Sequence, residues 1–269
     1  MDSPEHPEPG GRRGLSKSAA AQKQLTKGQE ERARLRQLSL TELAREFGTD
    51  KAGEHLYTPH YERHLGHLRR EEFTLLEIGI GGYDKTGHGG GSLKMWRWFF
   101  PRARVVGLDI ADKSFVDTPR IRSVIGSQTD EVVLRRIVEE EGAPLVVIDD
   151  GSHIPADIIT TFHLLFPLLP EGAIYVIEDT QTSYWPEWEG QVDLDATDTT
   201  MWLVKKLVDG LNYEEFVDDD YEPTYSDRNV VGLHCYHNLV LIEKGRNEEG
   251  SNKRRVLAER YADHDPPSD

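Results

Sequence analysis

Three acidic residues stand at the ends of two apolar runs, and their positions point to metal chemistry. Asp150 ends the run 145–150, and Glu178 and Asp179 end the run 173–179. Because the carboxyl ends of neighbouring parallel strands meet at one edge of a sheet, we expect the three carboxylates to cluster. Clustered carboxylates repel one another unless a cation is present. Oxygen ligands suit Mg²⁺, or else Mn²⁺ or Ca²⁺, better than zinc, so we predict a metal site at these three residues.

A histidine follows the first of these acids closely. His153 lies three residues after Asp150, in the turn that leads to Pro155. From there it can face the crevice without binding the metal. A metal that binds two adjacent sugar hydroxyls lowers their high pKa, and an imidazole is then able to remove the proton. His153 is therefore the candidate catalytic base; the simpler alternative is an acidic helix cap beside a surface histidine.

A glycine loop and a second acid predict a nucleoside site. The loop 77–82 (EIGIGG) follows the first apolar run, and Asp109 ends the second, where an acid can bind ribose hydroxyls. A dinucleotide fold needs GxGxxG opening directly into a helix, but residues 83–90 intervene here. A Walker phosphate loop is also absent. S-adenosylmethionine, a common nucleoside cofactor without a diphosphate, therefore fits better than NAD or FAD.

Several further positions can contact such a cofactor. Ser92 starts the next helical segment, near the expected methionine carboxylate, or else caps that helix. Ser127 and Gln128 can reach the adenine edge or form a simple turn, and Asp149 can bind the amino end. The candidate cofactor residues are Glu77, Gly79, Gly81, Tyr83, Ser92, Asp109, Ser127, Gln128 and Asp149.

The elements that must position these residues alternate along the chain. Apolar runs at 73–80, 104–110, 121–128, 145–150 and 173–179 predict buried parallel strands, and amphipathic segments at 91–100, 130–141 and 155–169 predict helices between them. This order is typical of a doubly wound α/β fold. A helix at 197–211 and two runs at 230–236 and 239–244, joined by two residues, predict a C-terminal antiparallel hairpin.

Composition restricts the class of protein further. The chain has 32 basic and 48 acidic residues, a formal charge of −16, which disfavours nonspecific nucleic-acid binding. No apolar run of about 18 residues predicts a membrane span, and no secretory signal is visible. Cys235 is the one cysteine, so an intramolecular disulfide is excluded. We expect a cytoplasmic protein.

The motifs together resemble a known family. The matching segments are TDK (49–51), HLYTPHY (55–61), EIGIGGY (77–83), GGGSLKMW (89–96), GLDI (107–110), DDGSH (149–153), IEDTQTSYW (177–185) and HCYHNLVLIEKG (234–245). They are similar to the Mg-dependent macrolide and rhamnosyl sugar O-methyltransferases, over about residues 47–245. The paired DDGSH and EDTQTSYW segments carry most of the specificity.

The resemblance implies a class I S-adenosylmethionine methyltransferase fold with Mg²⁺. It implies that Asp150, Glu178 and Asp179 bind the metal and that His153 is the base. It also implies cofactor contacts at the loop 77–82, Ser92, Asp109, Gln128 and Asp149. The expected reaction is O-methylation of a deoxysugar hydroxyl on a glycosylated macrolide or polyketide, in antibiotic biosynthesis. The sequence is compatible with a homo-oligomer, and neither nucleic acid nor a membrane is an expected partner. The alternatives are a catechol-type O-methyltransferase and a non-catalytic cofactor-binding assembly protein.

The outer parts of the chain carry weaker signals. We predict a disordered leader at 1–24, a helical lid or arm at 25–60 with a cap at Ser39 or Thr41, a methyltransferase domain at 61–246 and a polar tail at 247–269. His60, His64 and His67 fit surface histidines better than a metal cluster. Trp185 and Trp188 are expected to form an aromatic wall for the sugar or its aglycone.

Overall fold

The fold is built on a seven-stranded sheet. The computed structural model describes residues 12–83, 85, 87–218 and 220–253. The strands are β1 Thr74–Ile78, β2 Arg104–Asp109, β3 Ile121–Ile125, β4 Val146–Asp149, β5 Ile174–Glu178, β6 Val230–Tyr236 and β7 Leu239–Lys244. Their order is β3-β2-β1-β4-β5-β7-β6. Strands β1 to β5 are parallel, and β7 pairs antiparallel with both β5 and β6. The predicted doubly wound α/β sheet with a C-terminal hairpin is confirmed.

Helices cover both faces of this sheet. They are α1 Arg12–Gln37, α2 Leu40–Phe47, α3 Thr58–Leu65, α4 Gly91–Phe99, α5 Glu131–Glu141, α6 Pro155–Leu165, α7 Thr200–Gly210 and α8 Tyr225–Asn229. Alternate strand residues point to opposite faces, so Leu75 packs with the side of α2 to α4 and Leu76 with the side of α5 to α7. Both faces of the central strands are therefore buried, as their continuous apolar runs predict.

The chain order reverses at β1, and this fixes the place of the site. β1 pairs with β2 on one side and with β4 on the other. Ligands of open α/β sheets bind outside the carboxyl ends of the strands at such a switch point. The loops after β1, β2, β4 and β5 all meet there, which brings Asp109, Asp150 and Asp179 to one crevice.

The N-terminal segment differs from the sequence expectation. Helix α1 begins at Arg12, well inside the leader 1–24 that we expected to be disordered; the alanine-rich stretch 18–22 favours a helix. Residues 1–11 and 254–269 lie outside the described residues. Of the two predicted caps, Ser39 and Thr41, Ser39 caps α2 and forms a full capping box, and the helix ends at a left-handed Gly48.

Residues of the predicted lid also belong to the main core. Leu40 and Leu43 are fully buried, and Tyr57 is 2% exposed, in the cluster that contains Leu75 of β1. This segment is thus packed on the sheet. None of the helices in the described part of the chain is long and apolar enough to cross a membrane.

Candidate active site

A cavity of about 840 Å³ opens at the carboxyl edge of the sheet. Its wall comes from the loops that follow β1, β2, β3, β4 and β5. This volume lies within the range of small-molecule sites in proteins. We call the part formed by the loop 79–90 and Asp109 the glycine half. The acid half is the part of the wall formed by Asp150, His153 and Asp179, together with the buried Glu178 behind it.

Backbone conformation shapes the glycine half. Gly79 has φ of 85°, and a Cβ there would lie 2.0 Å from the carbonyl oxygen of Asp150. The loop therefore packs directly against the residue that follows β4. Gly81, at φ of 72°, lines the cavity, and a Cβ there would meet no atom within 4 Å. These positions need glycine because other residues rarely adopt this backbone conformation.

Asp109 joins the two loops of this half. Its Oδ2 accepts a hydrogen bond from the amide of Ile80 at 2.9 Å, and its Oδ1 accepts one from the amide of Ala111 at 2.8 Å. Each carboxylate oxygen keeps a further lone pair, and Asp109 lines the cavity. Asp109, which was predicted to bind the ribose, therefore has hydrogen-bond acceptors left on a side chain that lines the cavity.

The loop after β3 is tied to the loop after β4 through a side-chain amide. Gln128 lines the cavity, but its Nε2 donates to Asp149 at 3.3 Å and to Thr161 at 3.0 Å, and its Oε1 accepts from the amide of Ser152 at 2.8 Å. Ser127 also lines the cavity. The Gln128 side chain thus positions the neighbouring loop, and Ser127 is the more available contact for a ligand.

Three predicted cofactor residues are absent from the described wall of the cavity. Glu77 is fully buried and accepts hydrogen bonds from Ser92 at 2.8 Å and from the indole of Trp96 at 3.2 Å. Gly90, not Ser92, is the N-cap of α4. Asp149 is buried and accepts a hydrogen bond from Tyr175 at 2.9 Å, and burial raises its pKa to about 7. These polar groups stabilise one another behind the wall instead of facing it.

The acid half contains a compact group with metal-ligand spacing. Donor atoms of Asp150, His153 and Asp179 all lie within 4.8 Å of one another. The Nε2 of His153 lies 3.9 Å from Asp150 and 3.7 Å from Asp179. Both His153 and Asp179 have positive φ, 57° and 52°. Such strained conformations are concentrated at functional sites.

His153 is also held by an aromatic neighbour. Its ring packs edge-on against Trp188, with ring centroids 5.7 Å apart. Its buried Nδ1 has no hydrogen-bond partner among the described residues. Trp185 and Trp188 both line the cavity beside it, as expected for an aromatic wall. The Nδ1 is enclosed, so the Nε2 is the ring nitrogen that faces the acids of the cavity.

A buried lysine lies at the centre of the acids, and the residue patterns did not predict this role for it. The Nζ of Lys51 is 2.7 Å from Asp150, 2.8 Å from Glu178 and 3.4 Å from Glu77, and its side chain is fully buried. Burial alone would lower the pKa of Lys51, but the three carboxylates raise it well above its ordinary value. Burial raises the pKa values of the acids, which the lysine opposes. Lys51 is therefore the resident countercharge of this half.

Two tyrosines from the same N-terminal segment complete the arrangement. The hydroxyl of Tyr61 donates to Glu178, and that of Tyr57 donates to Asp179 at 2.6 Å. Glu178 is thus occupied by Lys51 and Tyr61 and is not part of the described cavity wall. The structure brings Asp150 and Asp179 together with His153, and Glu178 stands behind them. The segment 49–61 was marked only by the family resemblance.

The donor set fits a hard divalent cation. Two carboxylates face the cavity, with a third acid adjoining Asp150 through Lys51. Mg²⁺ takes few protein carboxylates and keeps several waters or substrate oxygens, so an open site of this composition suits it.

The sheet topology and the place of this site identify the class I methyltransferase fold. The MycE methyltransferase of the mycinamycin biosynthetic pathway, solved in complex with Mg and SAH, matches with a TM-score of 0.77 and 45% identity, over 82% of this chain and 60% of that one. A second crystal of it also holds mycinamycin VI. No protein-family model matches the chain.

Relatives found by sequence comparison identify the group of methyltransferases to which the chain is similar. The chain is 48% identical to mycinamicin VI 2''-O-methyltransferase of Micromonospora griseorubida, over 80% of its length and 55% of that protein. It is 50% identical to demethylmacrocin O-methyltransferase of Streptomyces fradiae, over 78% of its length and 54% of that protein. The chain is therefore a homologue of the macrolide and rhamnosyl sugar O-methyltransferases, which confirms the resemblance. It spans about half the length of these curated relatives.

Proposed function

We propose that this protein is an S-adenosylmethionine- and Mg²⁺-dependent O-methyltransferase that acts on a deoxysugar hydroxyl of a glycosylated macrolide or polyketide. The observation that carries the proposal is the group Asp150, His153 and Asp179, within 4.8 Å, on the wall of a cavity that also contains Asp109. The names of the sequence relatives support the same reaction class. A cytoplasmic location is part of the proposal and rests on the single cysteine.

The metal would be held by Asp150 and Asp179, with Glu178 as the third acid of the group. When bound, Mg²⁺ would lower the pKa of a sugar hydroxyl, and S-adenosylmethionine would supply the methyl group. Lys51 keeps Asp150 and Glu178 together and offsets their mutual repulsion. The chain's own contribution here is a fixed arrangement of acids and one countercharge.

His153 takes the proton in this proposal. Its Nε2 faces both acids, and its unpaired Nδ1 is buried beside the cavity. Trp188 packs edge-on against the ring and fixes its orientation. The base would therefore stand at the metal group, beside the substrate hydroxyl, and this position supports a role in general base catalysis.

The glycine half would hold the nucleoside. Asp109 would accept hydrogen bonds from the ribose, and the open backbone at Gly81 would let the nucleoside approach closely. Ser127 and Gln128 would lie near the adenine. Glu77, Ser92 and Asp149 would support these loops from behind. Trp185, in the cavity wall and partly exposed, would pack against the glycosylated substrate.

The test is methyl transfer from labelled S-adenosylmethionine to a panel of rhamnosides, macrolides and catechols, with and without EDTA. We expect methylated sugars, no turnover in EDTA, and recovery on adding Mg²⁺. Asp179→Asn should abolish this response, whereas Asp193→Asn, at an exposed acid of the following loop, should leave it unchanged. Methylation of catechols alone would favour the catechol-type alternative. Cofactor binding without turnover on any acceptor would favour a non-catalytic binding protein.

A further inference from the structure

A second histidine–carboxylate group lies away from the cavity. It consists of His64 on α3, His234 on β6 and Glu243 on β7, and their donor atoms all lie within 4.8 Å of one another. All three side chains are partly buried. The described wall of the cavity includes none of them. The group therefore needs an explanation separate from the proposed methyl transfer.

The sheet register brings the two strand residues together. Glu243 stands opposite Gly232, and His234 lies two residues further along β6 on the same face. A Cβ at Gly232 would lie 3.0 Å from the Oε2 of Glu243, so the glycine leaves the space that this carboxylate uses. The Nε2 of His234 and the Oε1 of Glu243 are 2.8 Å apart.

Helix α3 supplies the third side chain and its supports. The rings of His64 and His234 have centroids 4.2 Å apart. The Nε2 of His64 is 2.7 Å from the hydroxyl of Tyr236, and His60 stacks on Tyr236 at 3.7 Å. Two imidazoles thus face each other at an acid, and an aromatic residue holds one of them in orientation. Such supporting contacts are typical around histidines that bind metals.

We propose that His64, His234 and Glu243 form a zinc site that joins α3 to the edge of the sheet. Two imidazoles and one carboxylate are a donor set that Zn²⁺ binds, with an open fourth position for water. Tetrahedral ligands at about 2.0 Å from zinc are about 3.3 Å apart, so the observed group closes on the ion by small side-chain rotations. Binding exchanges the hydrogen bond between His234 and Glu243 for coordinate bonds to the ion.

The two groups of the molecule differ in the metal that they select. Oxygen atoms dominate the acid half, where Lys51 also contacts two of the carboxylates. The outer group has two nitrogen donors and one acid, and among the described residues no lysine or arginine forms a salt bridge with Glu243. Nitrogen-rich sites favour zinc, whereas oxygen sites favour magnesium. Excess Mg²⁺ should therefore leave the outer site free for zinc.

The experiment is a calorimetric zinc titration of the full, untagged chain after removal of metals, in excess Mg²⁺. We expect one zinc per chain in the wild type. His64→Ala and Glu243→Gln should each weaken binding by about 100-fold or more. His67→Ala and His237→Ala, at exposed histidines outside the group, are matched controls and should bind like the wild type.

Folding and location are checked separately. Circular dichroism identifies any variant that fails to fold, and Glu243→Gln keeps the size of the side chain. The thermal midpoint should rise with zinc in the wild type and not in Glu243→Gln. An unchanged affinity in His64→Ala and Glu243→Gln would overturn the proposal, as would a site lost only in Asp179→Asn. Lack of stoichiometric zinc binding by the wild type would overturn it as well.

Discussion

The glycine half and the acid half are each held by a buried lysine, but the two lysines have different partners. Lys113 is 1% exposed and donates to the backbone carbonyls of Tyr83 and His88 in the glycine loop. Lys51 is fully buried and contacts three carboxylates. One lysine therefore shapes a loop through neutral acceptors, whereas the other balances charge.

This difference tells which half tolerates change. Removing a lysine from carbonyls leaves neutral acceptors that a small rearrangement or water can satisfy. Removing it from buried carboxylates leaves charges without a partner, which is much more costly. The acid half should therefore depend strongly on one residue far away in the sequence. Single substitutions in the glycine half should each have a smaller effect on its function.

The largest effect is expected on catalysis in the acid half. His153→Ala should lower kcat by about 10²–10⁴-fold on a sugar substrate, the usual contribution of a positioned base. The affinity for S-adenosylmethionine should stay near that of the wild type, because His153 lies outside the glycine half. Steady-state kinetics and calorimetry measure the two quantities. Turnover within a few-fold of the wild type would remove His153 from the base role.

The second prediction concerns stability and uses the two lysines as a pair. Lys51→Met should lower the free energy of unfolding by about 3–5 kcal/mol, because it leaves buried acids unpaired. Lys113→Met should cost about 1–2 kcal/mol, because only carbonyl acceptors lose a donor. Urea unfolding of both variants gives the comparison. Equal losses of unfolding free energy in the two variants would contradict a stabilising role for the charge of Lys51.

Mg²⁺ provides an additional readout for the same pair. In Lys51→Met the cation should recover part of the lost stability, because it replaces a positive charge near Asp150. Lys113→Met should gain no more than the wild type does. The unfolding midpoint with and without Mg²⁺ decides this. A gain of the same size in both variants would contradict the role of Lys51 as countercharge.

The third prediction addresses the glycine half. Asp109→Ala should weaken S-adenosylmethionine binding by about 1.5–3 kcal/mol, the range for hydrogen bonds to a charged group. Asp109→Asn, which keeps the shape and one acceptor, should lose less. Calorimetry with both variants separates the ligand contact from loop support at Ile80 and Ala111. Unchanged affinity in Asp109→Ala would exclude a ribose contact.

The smallest effect is expected outside both halves. Ser39→Ala removes the capping box of α2 and should cost about 1 kcal/mol of stability. Neither kcat nor cofactor affinity should change, since α2 contributes no residue to the described cavity wall. A matched loss of kcat would show that the helical arm influences the acid half. Thermal unfolding and initial rates measure both.

Sequence patterns were sufficient to predict the sheet because its central strands, such as β4 and β5, are nearly continuous apolar runs. The hairpin strands at 230–236 and 239–244 were located without error, and Asp130 and Ser39 cap the helices that follow them. Strand ends were placed too far along the chain, because Asp150 and Asp179 already lie in the loops. That error did not affect the location of the crevice.

The partners of buried polar side chains were not predictable in the same way. Glu77 and Ser92 have the residue types of cofactor contacts, but they hydrogen-bond each other and Trp96. Lys51 reaches Glu178 across 127 positions of sequence, and no local pattern predicts such a pair. Likewise His64 belongs with two residues of the hairpin, not with His60 and His67. Residue type indicates chemistry, but the tertiary structure decides its partner.

The contacts of Tyr57 have a consequence for how the chain is made. Its hydroxyl oxygen also lies 3.1 Å from the carbonyl oxygen of Asn238, 181 positions away, in the hairpin turn beside the end of β5. Contacts of such sequence separation form late in folding, because a long loop must close first. During synthesis the first strands can assemble while the hairpin is still inside the ribosome. A newly made chain should therefore form its glycine half before its acid half is closed.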